Sequence, residues 1–262
     1  VHDEILNRER LSRLVSPKIA EQVIAGQIDL KPGGARTECT VFNSDIRGFT
    51  RMSEKAPPEV IVEMLNGYFE RMVDVVFHHE GTLDKFMGDG IMALWGAPVE
   101  HVDDASRAVE CALSQVDVLG GFNRERLARD EPPLGVGFGI HTGSVVAGYI
   151  GSSKTLSYTV IGDVANTSAR LCSRALAGQI IVSATTRAKL DGRFEVEELP
   201  PAKMKGKGEA MAIFNVIGRT TQVAVPESTG IGPYDSTGSE PVISSGAVSK
   251  SADTSPAGNV EA

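Results

Sequence analysis

Between Pro58 and His79 the apolar residues fall into two adjacent rows. Val60, Met64, Tyr68, Met72 and Val76 recur every four residues, and Ile61, Leu65, Phe69, Val73 and Phe77 run beside them. Residues four apart stack on one side of an α-helix, so the double row makes a broad apolar face suited to covering a sheet. Gly81 is placed to end this helix. The flanking segments supply the sheet. "ECTVFNSDI" (38–46) precedes the helix, and "TLDKFMGDGIMALWG" (82–96) follows as two short apolar runs around Gly88, Asp89 and Gly90, the pattern of a β-hairpin. A second helix covers roughly Asp103 to Leu119 or somewhat beyond. After it come a strand in "LGVGFGIHTG" (134–143), whose glycines allow backbone or ligand to approach closely, and another in "LSYTVIG" (156–162). A helix in "DVANTSARLCSRA" (163–175), strand and short helix in "QIIVSATTRAKL" (179–190) and a last strand in "MAIFNVIG" (211–218) complete the order. This interleaving predicts an α+β fold: a ferredoxin-like β-α-β-β-α-β core sheet with helices on one face and added C-terminal elements. It fits that better than a doubly wound parallel sheet.

The ends read differently. "LSRLVSPKIAEQVIAG" (11–26) is a helical lead-in within residues 1–35, with Pro17 tolerated early in the helix and Gly26 available to end it. From about residue 219 to 262 the chain is rich in Ser, Gly, Pro and Thr and poor in aromatics. Such a stretch buries too little apolar surface to offset its ordering entropy and is expected to be a flexible tail. The folded unit is then residues 36–218.

With 41% hydrophobic and 23% charged residues, a globular unit is expected. The formal net charge of −8 leaves no basic excess to displace counterions from a polynucleotide, so nucleic acid is not an expected partner. A small anion could still be held by a few local cations. No run of about 18 uncharged apolar residues occurs, so no membrane contact is expected, and "VHDEILNRER" lacks the apolar centre of a signal peptide. Cys39, Cys111 and Cys172 are odd in number and far apart, which suits neither a disulfide framework nor a zinc knuckle. A reducing cytoplasm is the simplest compartment.

Two acids stand out. Asp45 and Asp89 each follow a strand-like run and adjoin a turn rich in glycine. Two carboxylates brought together need a proton or a cation between them, and hard oxygen ligands beside phosphate suit Mg²⁺ or Mn²⁺. Ordinary turn chemistry is the alternative, because D-G is a common hairpin turn. Lys85, four residues before Asp89, shares its face if the strand runs unbroken; otherwise it is a solvated edge lysine. Asn166 and Arg170 lie four apart near a helix start, where an amide and a guanidinium could hold phosphate oxygens or form a plain surface pair. "MKGKGE" (204–209), with Lys205 and Lys207, is a basic Gly-rich loop that lacks the P-loop arrangement. No zinc spacing surrounds His101 or His141, and no nucleophile elbow is found.

Taken together, "VFNSDIRGFT" (41–50), "LDKFMGDGIMALWGAP" (83–98) and "YTVIGDVANTSARL" (158–171), with "MKGKGE" beyond, resemble the catalytic domain of class III nucleotidyl cyclases over roughly Leu11 to Gly218. More narrowly, they resemble cyanobacterial-type adenylate cyclases related to the bicarbonate-responsive soluble enzymes of animals. The resemblance implies that Asp45 and Asp89, with the backbone carbonyl of Ile46, hold two divalent cations. It assigns Lys85 and Thr159 to the purine, Asn166 to the ribose, Arg170 to transition-state charge on the phosphates, and Lys205 to the terminal phosphates. Phe49 and Thr50 fall in the segment whose backbone N–H groups cradle phosphate. Many adenylate cyclases carry aspartate where this chain has Thr159; the threonine matches the bicarbonate-responsive subgroup, and bicarbonate is the activator it implies. The implied reaction converts ATP to cyclic AMP and pyrophosphate at sites shared across a head-to-tail homodimer. A guanylate cyclase and a non-catalytic nucleotide-binding dimerisation module are the alternatives.

Overall fold

The computed structural model describes residues 33–152, 154–203 and 210–220. The expected N-terminal helix, the loop bearing Lys205 and Lys207, and the tail beyond residue 220 lie outside them. Strand β1 (Gly33–Ile46) leads into a short helix α1 (Phe49–Ser53) and the long helix α2 (Pro58–His78). The hairpin β2 (Thr82–Met87) and β3 (Gly90–Trp95) follows, then helix α3 (Asp104–Leu127) and β4 (Val136–Ser152). Strand β5 (Thr155–Ile161), α4 (Asp163–Arg174), β6 (Ile180–Ser183), α5 (Ala184–Arg187), β7 (Phe194–Lys203) and β8 (Ala210–Arg219) complete the described elements.

The sheet runs β2-β3-β1-β4-β6-β8-β7, with β5 paired to the far half of β4. Its first four strands are antiparallel neighbours in the ferredoxin-like order, and the β4/β6 pair is parallel, so the sheet is mixed. The α+β expectation holds. Both long helices share one face: Met64, Tyr68, Met72 and Val76 of α2 are buried in one cluster with Phe42, Trp95, Phe138 and Ile140 from the strands. Val60, first in its row, remains exposed. The shorter α4 lies on the opposite face. Phe138 and Ile140 point toward α2 and α3, while a Cβ placed on the intervening Gly139 would sit 2.1 Å from the backbone nitrogen of Cys172 in α4. The glycines of "LGVGFGIHTG" thus admit helix backbone.

Two local expectations are revised. Helix α2 ends through Glu80, which takes φ 59, while Gly81 N–H donates to Val76 O at 2.8 Å and Glu80 N–H to Phe77 O at 3.0 Å. Glu80, not Gly81, is therefore the left-handed residue of this helix end. Gly81 answers a packing need, since a Cβ there would lie 2.5 Å from the Trp95 ring. Strand β7, whose sequence "FEVEELPPAK" carries Pro200 and Pro201, was not among the strands expected. It is an edge strand, and its register breaks between Leu199 and Ala202, where the two prolines fall. A residue without an N–H is tolerated at an edge bulge.

Candidate active site

The pairing of β1 with β3 builds the acidic corner. Ser44 opposes Ile91, and β3 starts at Gly90, so the end of β1 meets the hairpin tip. That tip is a two-residue turn between Met87 and Gly90, with Gly88 at φ 67 in the first central position and Asp89 in the second. Asp89 Oδ2 accepts from the Ile46 N–H at 3.0 Å, and a Cβ on Gly90 would fall 3.6 Å from Asp45 Oδ1. The two carboxylates and the Ile46 backbone therefore converge, as the resemblance implies. Gly48, at φ 74 and ψ 15, caps α1 at the next turn of chain, so Phe49 and Thr50 begin that helix with N–H groups that have no intrahelical partner.

Like charges at about 4 Å in a surface site of effective dielectric near 20 repel by about 4 kcal/mol. Two consequences are visible. Burial, and then the neighbouring Asp45 carboxylate, pushes the Asp89 carboxyl up to about 6. Arg47 turns back on Asp45, its Nη2 2.7 Å from Oδ2. No group of three or more His, Cys, Asp or Glu side chains converges among the described residues. Two carboxylates with an adjacent main chain still suit a hard divalent cation that keeps water and takes its other ligands from substrate phosphates. The donor set fits Mg²⁺ or Mn²⁺.

Between the ordinary 3.8 of Asp89 and about 6 the folded chain binds more protons than the unfolded chain. Ionising Asp89 then costs stability as pH rises through that window. Metal-free protein should melt at lower temperature as pH rises from about 4 to about 6 for this group's part, and Asp89→Asn should flatten that slope. Mn²⁺ should raise the melting temperature of the wild type at neutral pH and leave Asp89→Asn nearly unmoved, as scanning calorimetry with and without the ion would read.

A second group forms along the first hairpin strand. Lys85 Nζ donates to Thr159 Oγ1 over 3.5 Å, although β2 and β5 are not neighbours in the sheet. The sheet curls enough to bring them together: Met92 and Leu94 of β3 share a buried cluster with Val160 of β5 and Val164 of α4. Lys85 does not share a regular strand face with Asp89. The turn at Gly88 ends the strand between them.

Asn166 and Arg170 project from α4, Asn166 exposed and Arg170 half-buried. The opposite side of this helix is tied down where Asn43 Nδ2 donates to Ser168 Oγ at 2.9 Å and Ser168 Oγ lies 2.8 Å from the carbonyls of Val41 and Gly139. No hydrogen bond or ion pair links the acidic corner, the Lys85 and Thr159 pair, and the Asn166 and Arg170 face among the described residues. Burial pushes the thiols of Cys39 and Cys172 up to about 12, which removes them as nucleophiles.

Residues 34–217 match the family model described as the adenylate and guanylate cyclase catalytic domain. The chain belongs to the class III nucleotidyl cyclases. It is 35% identical over 195 residues to adenylate cyclase 1 of Rhizobium meliloti, covering 74% of this chain and 29% of that protein. The cyclase chain therefore spans about three tenths of that relative's length. Among solved structures it is similar to the guanylyl cyclase Cya2, at 41% identity and TM-score 0.70 over 73% of this chain and 98% of that one. It is also similar to the adenylyl cyclase CyaB from P. aeruginosa, at 30% identity and TM-score 0.69 over 72% of this chain and 97% of that one. Among the described residues of this cyclase no helix is long and apolar enough to cross a membrane. Two site-adjacent residues escaped the sequence reading. Arg47 stood in the quoted motif two positions from Asp45, on the same side of an extended chain. Asp84, beside Lys85, would face the opposite way in a regular strand, and only the bulge in β2 between Leu83 and Lys85 brings it to the site.

Proposed function

We propose that this chain is an adenylate cyclase of the cyanobacterial, bicarbonate-responsive type, converting ATP to cyclic AMP and pyrophosphate. The observation that carries the choice of base is the Lys85 to Thr159 contact. An ammonium that donates and a hydroxyl oxygen that accepts complement the ring-nitrogen acceptor and exocyclic amino donor of adenine. Bound at Asp45, Asp89 and the Ile46 carbonyl, two divalent cations would lower the pKa of the ribose 3′-hydroxyl and offset charge on the triphosphate. Asn166 orients the ribose so that its 3′-oxygen stands in line with the α-phosphorus. Arg170 neutralises charge as the bond to pyrophosphate breaks, and Lys205 holds the terminal phosphates. The backbone at Phe49 and Thr50 supplies N–H groups to the phosphates. Positioning and charge stabilisation of this kind carry phosphoryl transfer without a protein nucleophile.

A head-to-tail homodimer brings the acidic corner of one copy to Lys85, Thr159, Asn166, Arg170 and Lys205 of the other. Exposed apolar residues support such an interface: Phe86 and Met87 on the hairpin, and Val146 and Ile161, which are cross-strand neighbours on β4 and β5. A guanylate cyclase is the second reading, favoured by the 41% identity to the guanylyl cyclase Cya2. Purified chain given ATP or GTP with Mn²⁺ or Mg²⁺, and its product identified by mass, decides between them. Cyclic AMP with pyrophosphate is expected. Cyclic GMP as the main product overturns the adenine assignment, and nucleotide binding without pyrophosphate release overturns catalysis. In the same assay at fixed pH and ionic strength, a rate unmoved by bicarbonate removes that activator.

A further inference from the structure

Asp84 is the extra residue of the β2 bulge: Leu83 pairs with Ala93 and Lys85 with Met92, leaving Asp84 unopposed. Neighbours in a regular strand point to opposite faces, and a bulge breaks that alternation. Here it turns two successive side chains toward one place. The Asp84 side chain is 0% exposed, whereas that of Lys85 is 50% exposed, and Lys85 Nζ stands 3.2 Å from Asp84 Oδ2. The contact is a charge pair off the direction of a hydrogen bond, and neither Asp84 oxygen has an aligned donor. A buried carboxylate without aligned donors is costly, so its presence at this spot calls for an explanation. Burial pushes its carboxyl above the ordinary range, and the Thr159 hydroxyl first, then the Lys85 ammonium, pull it back toward the charged form.

We propose that Asp84 is a positioning residue for base selection, acting through Thr159 and Lys85. It rests on the proposal that this pair reads the purine edge. Lys85 already directs a proton at the Thr159 oxygen, so the hydroxyl proton must leave on another side. The buried Asp84 carboxylate only accepts, and turning that proton inward supplies the donor that neither Asp84 oxygen otherwise has. Thr159 then offers an oxygen lone pair outward, matched to the amino group of adenine and mismatched to the O6 acceptor of guanine. The same carboxylate holds the ammonium of Lys85 beside Thr159. The bulge is thus a device that puts an obligate acceptor behind a rotatable hydroxyl.

Asp84→Asn tests this with little change of volume. Its amide N–H₂ can donate to the Thr159 oxygen, freeing the hydroxyl proton to turn outward. The expected result is a fall of at least about tenfold in the ratio of kcat/KM for ATP to that for GTP, in the range one good polar contact discriminates. Asp84→Ala, which removes the acceptor altogether, should move the ratio the same way. In a Thr159→Val background Asp84→Asn should lose most of its effect on the ratio, keeping only the part exerted through Lys85. The Mn²⁺-induced thermal shift should persist, since Asp45 and Asp89 are untouched. If Thr159→Val shifts the ratio while both Asp84 variants leave it as in the wild type, or weaken both nucleotides equally, Asp84 only supports the strand and the inference fails. If the ratio is unmoved by Thr159→Val as well, the assignment of Lys85 and Thr159 to the base falls instead, and the inference with it.

Discussion

Asp45→Ala chains should lose cyclase activity by at least about 100-fold, the scale of removing one charge-stabilising group from a transition state, while remaining folded. The side chain of Asp45 is 43% exposed and its partner is Arg47, so its loss removes a surface pair worth about 0–1 kcal/mol. Lost activity would then report on chemistry, and calorimetry would show a melting temperature at or above that of the wild type, since the repulsion on Asp89 is relieved as well. Asn166→Ala should likewise lose activity and stay folded, because the Asn166 side chain is exposed and makes no hydrogen bond among the described residues. The two dead variants lie on different clusters of this chain. If each site draws its acids from one copy and its amide from another, a freely exchanging equal mixture regains about one quarter of wild-type activity: half the dimers are mixed, and each has one intact site of two. Verified heterodimers that stay inactive would remove the shared-site arrangement and leave the metal assignment standing. Full activity in Asp45→Ala alone would remove the metal assignment.

How far the chain could be read depended on whether a feature is local. The double apolar row of α2 and the hairpin around Gly88 were legible because helix period and turn chemistry are written in neighbouring residues. The meeting of Asp45 with Asp89 was legible only as a shared resemblance; their contact comes from the β1/β3 register, which no spacing in the sequence reveals. The Lys85 to Thr159 contact lies a step further off, since it needs the curl that closes β5 and α4 over β3. Asp84 was misdirected by alternation itself: the rule that assigns strand faces sends it away from Lys85, and a one-residue bulge reverses this. Pro200 and Pro201 likewise fall at a bulge of the edge strand β7, where a residue without an N–H is tolerated.

Gly139→Ala should be among the most destabilising single methyls added to this sheet, at about 3 kcal/mol or more, at or above the usual upper range for overpacking. The new Cβ would lie 2.1 Å from Cys172 N, 2.4 Å from Ser168 O and 2.7 Å from Cys172 Cα. All three are helix backbone, so no rotamer change relieves the contact and α4 must move as a body. That movement pulls on the buried Asn43 and Ser168 hydrogen bonds and on the Cys172 thiol, which lies 3.3 Å from the Gly137 carbonyl. For a domain of this size the melting temperature should fall by roughly 10 °C, at about 2–4 °C per kcal/mol. Gly143→Ala is the control: its Cβ would press on the Val164 Cγ2 methyl at 3.0 Å, a side-chain atom that can give, and reach His141 Nε2 at an ordinary 4.0 Å. It should cost less than about 1 kcal/mol, part of it repaid by the lower chain entropy of alanine. Because Asn166 and Arg170 ride on the helix that Gly139→Ala displaces, the surviving folded fraction should also turn over more slowly. Its Mn²⁺-induced thermal shift should be retained, since the acidic corner is built from β1 and the hairpin tip. A Gly139→Ala protein melting within about 2 °C of the Gly143→Ala protein would show that α4 does not press on β4 this closely. The rigid seat assigned to Asn166 and Arg170 would then have to be given up.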